Sequence, residues 1–454
     1  MMYEDEDYEE FEPMYTQEVD EEEGSGLWLV FEHCLTPTLR GLVSPLLHLI
    51  VSCLVFRLST QLVAVPMVLR HLVSSLLGLY ALAFFFKGLV VDLLVLVVAA
   101  YVVLSILHSL ELSHGPIVSI LSFTYLIGNE FFLEPESWQK IRGPEMLVVM
   151  KVVSIAFDLD SGSLRSFPSV WEYCGYVLCV GTSVFGVWCS FNDYLNIYVS
   201  PVWNKEWALM TCRSLLLALV SFSTSVCLVD WLIPPESPLW WGLYRDALQF
   251  RTSHYFVSYV SETVAVLSGL GAGPGGEWTL SVSEPRHIEL PHSLVQVVVS
   301  WNKYMHKWLK LYVFRTTSQY GGLVAVMATY TVSSLLHGLH YPLAAILMSL
   351  GIYTFVEHSI RYRLSVMLDA CVAARPCPNV CTRHKHTARL LPVTVVNWLW
   401  SMLAVFHLAY LGCIVDTSDS SPAPFPQAFQ KWNDVHYISH IVALVTYFLY
   451  FCVK

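Results

Sequence analysis

The stretch VVVSWNKYMHKWLKLYVFRTTSQYGGLVAVMATYTVSSLLHGLHYP, residues 297–342, decides the fold class. Asn302 opens a segment in which apolar and basic side chains recur at helical spacing, and His337 lies far inside an apolar run that begins at Gly321. In a helix, His337 would lie about 24 Å from the start of that run. A helix this apolar predicts a membrane span, and an ionisable group deep in a span is a functional-site hypothesis by default.

Composition supports a membrane protein. The 454 residues are 55% hydrophobic and only 13% charged, whereas soluble chains are about 25% charged. We predict an all-α, polytopic helical bundle with about eleven transmembrane helices plus re-entrant and amphipathic helices. The candidate spans are 42–58, 62–86, 88–107, 115–133, 171–191, 208–232, 250–271, 321–341, 342–360, 392–414 and 435–453.

The acidity of the chain belongs to one end. Residues 1–26 hold 12 acidic and no basic residues, which leaves 24 acidic and 25 basic residues in the rest of the chain. We therefore predict an acidic disordered tail over 1–26 and one membrane domain over 27–454. Nothing resembles a nucleic-acid-binding surface, and lipid is the expected surrounding.

The distribution of basic residues predicts the orientation. The loop after span 342–360 is the most basic of the chain, and the positive-inside rule places it in the cytosol. Counting spans from this loop predicts a luminal N-terminus and a cytosolic C-terminus. The loop's basic residues are Arg361, Arg363, Arg375, Arg383, Lys385 and Arg389.

Three segments are predicted to be irregular or amphipathic. The apolar run 146–157 is too short to span and predicts a re-entrant or interfacial helix, in which Lys151 forms a salt bridge with Asp158 or Asp160, or contacts an anionic ligand. The glycines within 171–191 predict close helix approach. Residues 291–315 predict an amphipathic helix at a membrane face, whose basic side suits phosphates.

Asn302 and His337 could perform acid–base chemistry. Histidine exchanges protons near neutral pH, and a neutral imidazole can act as a general base. The asparagine amide could hold a reacting group or stabilise an oxyanion. No serine nucleophile motif appears, so deprotonation of a substrate hydroxyl is the simpler hypothesis. The alternative is a structural histidine hydrogen-bonded within a span.

The loop CVAARPCPNVCTRHKH, residues 371–386, predicts a structural zinc site. Cys377, Cys381, His384 and His386 are close enough in sequence to surround one ion, with Cys371 as a spare ligand. The order of ligands is not that of a standard zinc finger. The alternatives are free cytosolic thiols or reversible acylation. The other cysteines are scattered through apolar runs, which argues against a disulfide framework.

The runs SWNKYMHKWLKLYVF, from Ser300, and SSLLHGLHYPLAA, from Ser333, resemble the signature of the membrane-bound O-acyltransferase family. The resemblance to one branch of that family extends over most of the chain. It includes KIRGPEMLVVMKVVSIAFDLDSG at 140–162, SFNDYL at 190–195, SHYFVSYVSETVAVLSGLG at 253–271, ELPHSLVQVVVSWN at 289–302 and VFHLAYLG at 405–412.

The resemblance implies an enzyme of the endoplasmic reticulum that transfers palmitoleate from palmitoleoyl-CoA to a serine of Wnt proteins. It also implies that His337 is the catalytic histidine and that Asn302 is the family's second catalytic position. Acyl-CoA would arrive from the cytosol and the Wnt serine from the lumen. Trp301, Lys303, Lys307 and Arg315 are the candidates for contacts with the CoA group.

Three other functions are compatible with parts of this pattern. A transporter also carries polar groups inside spans, but no internal repeat is visible. A non-catalytic factor for Wnt export would keep the fold without the chemistry, although both Asn302 and His337 are present. A family member with a different acyl acceptor would share the signature, and the branch-specific segments disfavour it.

Overall fold

The computed structural model describes residues 28, 30–62, 65–199, 203–273, 277–378, 381–415 and 429–453. These residues form helices and two isolated β-bridges, and no strand occurs among them. The predicted all-α class is therefore confirmed. The predicted acidic tail over 1–26 lies outside the described residues, so its disorder stays a prediction.

The helices follow one another with short links. In chain order they are α1 Thr36–Gln61, α2 Met67–Phe86, α3 Val90–Ser109, α4 Gly115–Phe132, α5 Pro135–Asp160, α6 Val170–Val177, α7 Val180–Ser183, α8 Phe191–Asn196, α9 Lys205–Ser223, α10 Val229–Leu232, α11 Leu239–Leu267, α12 Arg286–Glu289, α13 Leu294–Trp301, α14 Lys303–Leu309, α15 Arg315–Thr317, α16 Gly322–Leu336, α17 Tyr341–Met367, α18 Leu391–Gly412, α19 Gln430–Asp434 and α20 Ile438–Cys452.

Several of these helices are long and apolar enough to cross a membrane. By length and composition, five stretches of the described chain qualify, and α16 and α20 are shorter apolar helices. Every predicted span except 171–191 coincides with a helix. The five stretches are Phe31–Gln61, Met67–Ser109, Lys205–Leu232, Tyr341–Met367 and Leu391–Gly412.

The predicted span 171–191 is wrong, because the backbone breaks between α6 and α7. Lys151, on α5, is fully buried at this break. Its Nζ donates to the carbonyl oxygens of Tyr176 and Val177 at 3.1 and 2.9 Å and to Thr182 Oγ1 at 2.7 Å. The predicted salt bridge of Lys151 to an aspartate is therefore also wrong. The ammonium instead satisfies carbonyl oxygens that a continuous helix would have satisfied itself.

The run 146–157 is not a re-entrant helix. It is the centre of α5, a 26-residue helix whose residues 147–156 are all buried. Polar residues flank the run, so its apolar length predicted a helix too short to span a membrane. The helix continues through these polar residues because protein rather than lipid surrounds it. Asp160, the last residue of α5, accepts hydrogen bonds from the backbone N–H groups of His114 and Gly115 and so caps the start of α4.

Glycines allow the close packing around the break. A Cβ at Gly78 on α2 would lie 1.6 Å from the carbonyl oxygen of Leu178, so α2 can approach the broken backbone only without a side chain there. A Cβ at Gly175 would lie 2.4 Å from the Tyr194 hydroxyl, and one at Gly181 would lie 2.3 Å from Ser268 Oγ. The expectation that glycines in 171–191 permit close helix approach is confirmed.

One disulfide joins Cys34, before α1, to Cys227, near the end of the Lys205–Leu232 stretch. The other described cysteines carry free thiols, so a disulfide framework is indeed absent among the described residues. The sequence did not predict the single bridge, since its two cysteines are 193 positions apart.

A second buried cation organises the start of α13. The guanidinium of Arg361 is fully buried and pairs with Glu357 at 2.8 Å. It also donates to the carbonyl oxygens of His292, Val372 and Ala373. Glu357 in turn accepts the backbone N–H of Leu294, the first residue of α13. The polar cluster of Glu357 and Arg361 is therefore structural.

We predict that Lys151→Met lowers the free energy of unfolding by about 2 kcal/mol, because buried carbonyl oxygens lose their donor. Thermal unfolding of the purified protein in detergent measures the effect. Lys140→Met, an exposed position on the same helix, is the control and should change stability by less than about 0.5 kcal/mol. Equal stability of the two variants would contradict the role assigned to Lys151.

Candidate active site

His337 lies in the turn between two antiparallel helices, α16 and α17. The pairing is visible where Thr331 Oγ1 donates to Met348 Sδ at 3.8 Å and where Gly351 packs against the Tyr330 ring. His337 is the C-terminal cap of α16, and its backbone N–H donates to Ser334 O at 3.0 Å. Its side chain is only partly buried. A helix end that leaves an imidazole accessible is suited to present it to a ligand.

The turn that carries His337 is held from another helix. Gly338 has φ +79°, a conformation that favours glycine, and a Cβ there would lie 2.8 Å from Glu130 Oε2. That carboxylate, at the end of α4, accepts the backbone N–H of Leu339 at 2.5 Å. His340 then caps the start of α17, where its Nδ1 accepts the N–H of Leu343 at 3.4 Å. The backbone around His337 is thereby fixed on both sides.

Asn302 occupies a break between α13 and α14. Its backbone is extended, with φ −149° and ψ 96°, and its Oδ1 accepts the backbone N–H of Met305 at 2.9 Å. The asparagine therefore acts as the N-cap of α14. This bond uses the carbonyl half of the amide, and the N–H₂ half is the donor that remains for a ligand. The amphipathic segment predicted over 291–315 is helical, but the sequence did not predict its interruption at Asn302.

His254 holds the backbone beside Asn302. On α11, its Nε2 lies 2.9 Å from the carbonyl oxygen of Trp301, the residue before Asn302. Because a carbonyl oxygen only accepts, His254 carries its proton on Nε2. Its ring stacks on the Trp301 ring with centroids 4.2 Å apart. The same imidazole is close enough to interact electrostatically with His337.

Arg142, His254 and His340 are ionisable side chains whose electrostatic influence reaches His337. Among the described residues, no carboxylate forms a hydrogen bond or ion pair with its imidazole. The site therefore lacks the aspartate that orients the histidine in a serine hydrolase triad. Backbone capping and packing, rather than a buried acid, hold this histidine.

The four CoA candidates differ in their surroundings. Trp301 stacks between His254 and Phe250. Lys303 forms an ion pair with Glu284. Burial raises the pKa of Glu284, but the bond from Lys303 lowers it, and the net pKa lies below the usual value.

Of the other two, Lys307 lies 3.9 Å from Asp193 in an exposed pair, which contributes little to stability. Arg315 is exposed in α15. Lys307 and Arg315 are therefore more accessible to a phosphate than Lys303 is.

The metal candidates are only partly brought together. Cys377, Cys381 and His384 converge, and the spare ligand Cys371 completes the group. His386 does not: its side chain is exposed, while its backbone bonds to Asp369 and Cys371. The predicted ligand set is corrected accordingly. His386 is displaced because its backbone forms the bridge that closes this loop.

Sequence reasoning missed Glu130 and Arg142. Both are charged residues near helix ends, where charge is ordinary, and only the folded chain brings them to the turn around His337. For His254 a signal was present, since its eight-residue spacing from Glu262 predicts a shared polar face on α11. Both residues do make interior hydrogen bonds.

Comparisons with known proteins show which family the chain belongs to. The family described as "MBOAT, membrane-bound O-acyltransferase family" matches residues 60–380. The chain is 36% identical over 451 residues to "Protein-serine O-palmitoleoyltransferase porcupine" of Homo sapiens, covering 93% of this chain and 96% of that protein. The protein of the same name from Anopheles gambiae is 36% identical over 464 residues, covering 93% of each.

A more distant relative shares only part of the chain. "Lysophospholipid acyltransferase 1" of Arabidopsis thaliana is 28% identical over 280 residues, covering 50% of this chain and 60% of that protein. The chain belongs to the membrane-bound O-acyltransferase family and is an acyltransferase.

We predict that Glu130→Ala lowers kcat of acyl transfer at least about ten-fold, because a displaced catalytic group loses its alignment. Glu130→Gln retains an oxygen acceptor for the Leu339 N–H and should keep most of the activity. Glu136→Ala, exposed at the start of α5, is the control. An unchanged kcat in Glu130→Ala, or no rescue by glutamine, would contradict the positioning role.

Proposed function

We propose that this acyltransferase moves a palmitoleoyl group from palmitoleoyl-CoA to a serine hydroxyl of Wnt proteins at the endoplasmic reticulum membrane. The proposal rests on two placements: the half-buried imidazole of His337 in the α16–α17 turn, and the amide of Asn302 at the α13–α14 break, next to the Trp301 carbonyl that His254 holds. The relatives named as palmitoleoyltransferases, which match almost the whole chain, support the choice of acyl group and acceptor.

In this mechanism, His337 is the general base. A ring nitrogen takes the proton of the serine hydroxyl while the serine oxygen attacks the thioester carbonyl carbon. The tetrahedral intermediate collapses, the C–S bond breaks, and the departing CoA sulfur takes the proton from the imidazolium. The products are the serine ester and free CoA, and His337 returns to its neutral form.

Asn302 stabilises the negative charge that develops on the carbonyl oxygen. Its N–H₂ group is the donor, since its Oδ1 is already occupied by the Met305 N–H. His254 is a positioning residue, because it bonds to the backbone at Trp301 and to no reacting atom. We propose that Lys303, Lys307 and Arg315 lie along the path of the CoA phosphates, with Trp301 supporting Asn302 by packing.

We propose an orientation of the chain from its cysteines. The disulfide Cys34–Cys227 favours an oxidising compartment, the lumen. Cys371, Cys377 and Cys381 form no disulfide, which favours the cytosol. Helix α18 begins near these thiols, and its last residue, Gly412, packs on Ala247 in the early part of α11. Since α11 follows the stretch that holds Cys227, these contacts support opposite faces for the two cysteine groups.

The two ends of the chain follow from this assignment. Cys34 precedes α1, so the N-terminal end lies on the side of the disulfide. Arg363 bonds to the carbonyl oxygens of Tyr450 and Val453, so the C-terminal end lies on the side of the free thiols. We propose a luminal N-terminus and a cytosolic C-terminus on these contacts.

Different acyl acceptors are the principal alternative, because a lysophospholipid acyltransferase matches half of this chain. A lipid hydroxyl could be deprotonated by the same imidazole. The second alternative is a non-catalytic factor for Wnt export, in which His337 and Asn302 would have no catalytic role. The two alternatives and the proposed function predict different results in an assay with purified protein.

We predict that His337→Ala lowers palmitoleoyl transfer to a Wnt-derived serine peptide by about 10²- to 10⁴-fold, the usual contribution of a general base. Asn302→Ala should lower kcat by about 10²-fold. Labelled palmitoleoyl-CoA, purified enzyme and the peptide provide the assay. His358→Ala, an exposed histidine on α17, should keep full activity.

The acceptor is tested in the same assay. A peptide with alanine in place of the serine should receive no label, and lysophospholipid should receive much less than the peptide. Faster labelling of lysophospholipid would replace the proposed acceptor, whereas activity of His337→Ala would remove the base.

For the orientation, we predict that a C-terminal epitope tag is digested by protease added to sealed microsomes and that an N-terminal tag is protected. The reason is the opposite placement of the disulfide and the free thiols. Detergent, which opens the microsomes, should expose both tags. Digestion of the N-terminal tag in sealed microsomes would reverse the assignment.

A further inference from the structure

The loop between α17 and α18 brings three thiols to one imidazole nitrogen. His384 Nδ1 lies 3.7 Å from Cys371 Sγ and 3.5 Å from both Cys377 Sγ and Cys381 Sγ. All four ligand atoms lie within 4.8 Å of one another. A neutral imidazole has one free lone pair, so at most one thiol can donate to it. Hydrogen bonding to the imidazole therefore accounts for at most one of the three sulfur–nitrogen contacts.

The spacing fits a tetrahedral zinc ion. Zinc lies about 2.3 Å from a thiolate sulfur and about 2.0 Å from an imidazole nitrogen, which puts those two ligand atoms about 3.5 Å apart. The three observed sulfur–nitrogen distances, 3.5, 3.5 and 3.7 Å, agree with this value. Cys371 is buried and the other three ligands are half-buried. The site is therefore covered by protein on the Cys371 side, and an ion can enter from solvent on the other side.

The histidine is also in the tautomer that a metal requires. Ser365 donates its hydroxyl proton to the carbonyl oxygen of Ala370 at 2.9 Å. Its oxygen is therefore the acceptor for His384 Nε2, 3.0 Å away. The proton of the imidazole then sits on Nε2, and Nδ1 presents its lone pair to the three sulfurs. Zinc-bound histidines regularly donate such a hydrogen bond from the ring N–H that does not face the metal.

We propose that Cys371, Cys377, Cys381 and His384 bind a structural zinc ion on the cytosolic face. Four protein ligands fill the tetrahedron, and a site without an open position is structural rather than catalytic. The site lies outside the His337–Asn302 arrangement and does not depend on the proposed acyl acceptor.

The ion would stabilise the loop on which α13 depends. Just after Cys371, the carbonyl oxygens of Val372 and Ala373 accept from Arg361. The next carbonyl, that of Ala374, accepts the hydroxyl of Ser293, the N-cap of α13. Helix α13 ends at Asn302. Zinc would thus hold the backbone that anchors the helix leading to the catalytic amide.

Metal analysis of the full-length protein, purified in detergent without chelators, tests the proposal. We expect about one zinc per chain, and X-ray absorption at the zinc edge should give about three sulfurs at 2.3 Å and one nitrogen at 2.0 Å. His384→Ala and Cys381→Ser should each lose most of the metal. The matched controls His386→Ala and Cys212→Ser, an exposed histidine and an exposed free cysteine, should keep it.

A measurement on the unaltered protein tests the proposal even if the variants fail to fold. Treatment with a strong chelator should lower the midpoint of thermal unfolding, and added zinc should restore it. Zinc below about 0.1 per chain in protein from zinc-supplemented cells would overturn the proposal. So would full zinc content in His384→Ala, or a disulfide or acyl group on these cysteines in the purified protein by mass spectrometry.

Discussion

Two of the buried cations that bond to backbone carbonyl oxygens, Lys151 and Arg361, hold irregular parts of this membrane protein. In an apolar interior, a carbonyl oxygen without a donor is costly, because water is not there to replace the missing helix bond. Lys151 donates hydrogen bonds to carbonyl oxygens at the break between α6 and α7. Arg361 donates to carbonyl oxygens before the start of α13 and in the loop that follows α17. Each cation makes possible a chain path that no continuous helix could follow.

The proposed active site depends on the same kind of arrangement. A helix end, a glycine in the left-handed region and a carboxylate from α4 present His337. A helix break presents Asn302, and a histidine on α11 is bonded beside it. The two proposed reacting groups therefore lie where a regular helix ends or is interrupted. Both positions are fixed by contacts with neighbouring helices.

Apolar runs predicted most helices, since a run of about 20 residues leaves few alternatives in a membrane. They gave wrong predictions at 171–191 and at 146–157, where the apolar side chains are buried by protein rather than by lipid. Lys151 looked like a partner for a nearby aspartate, because a sequence shows only neighbours along the chain. Asn302 and His337 were found from residue type and family likeness, but Glu130 and Arg142 could not be, since their role comes from contacts between distant segments.

In the proposed mechanism, the imidazole of His337 and the amide of Asn302 act on one thioester. A structure with a bound, non-transferable palmitoleoyl-CoA analogue tests this arrangement. We expect the analogue's carbonyl oxygen about 3 Å from Asn302 Nδ2, with room for a serine hydroxyl between the carbonyl carbon and His337. A carbonyl bound away from Asn302, or a His337 ring sealed from the acyl group by packed side chains, would contradict it.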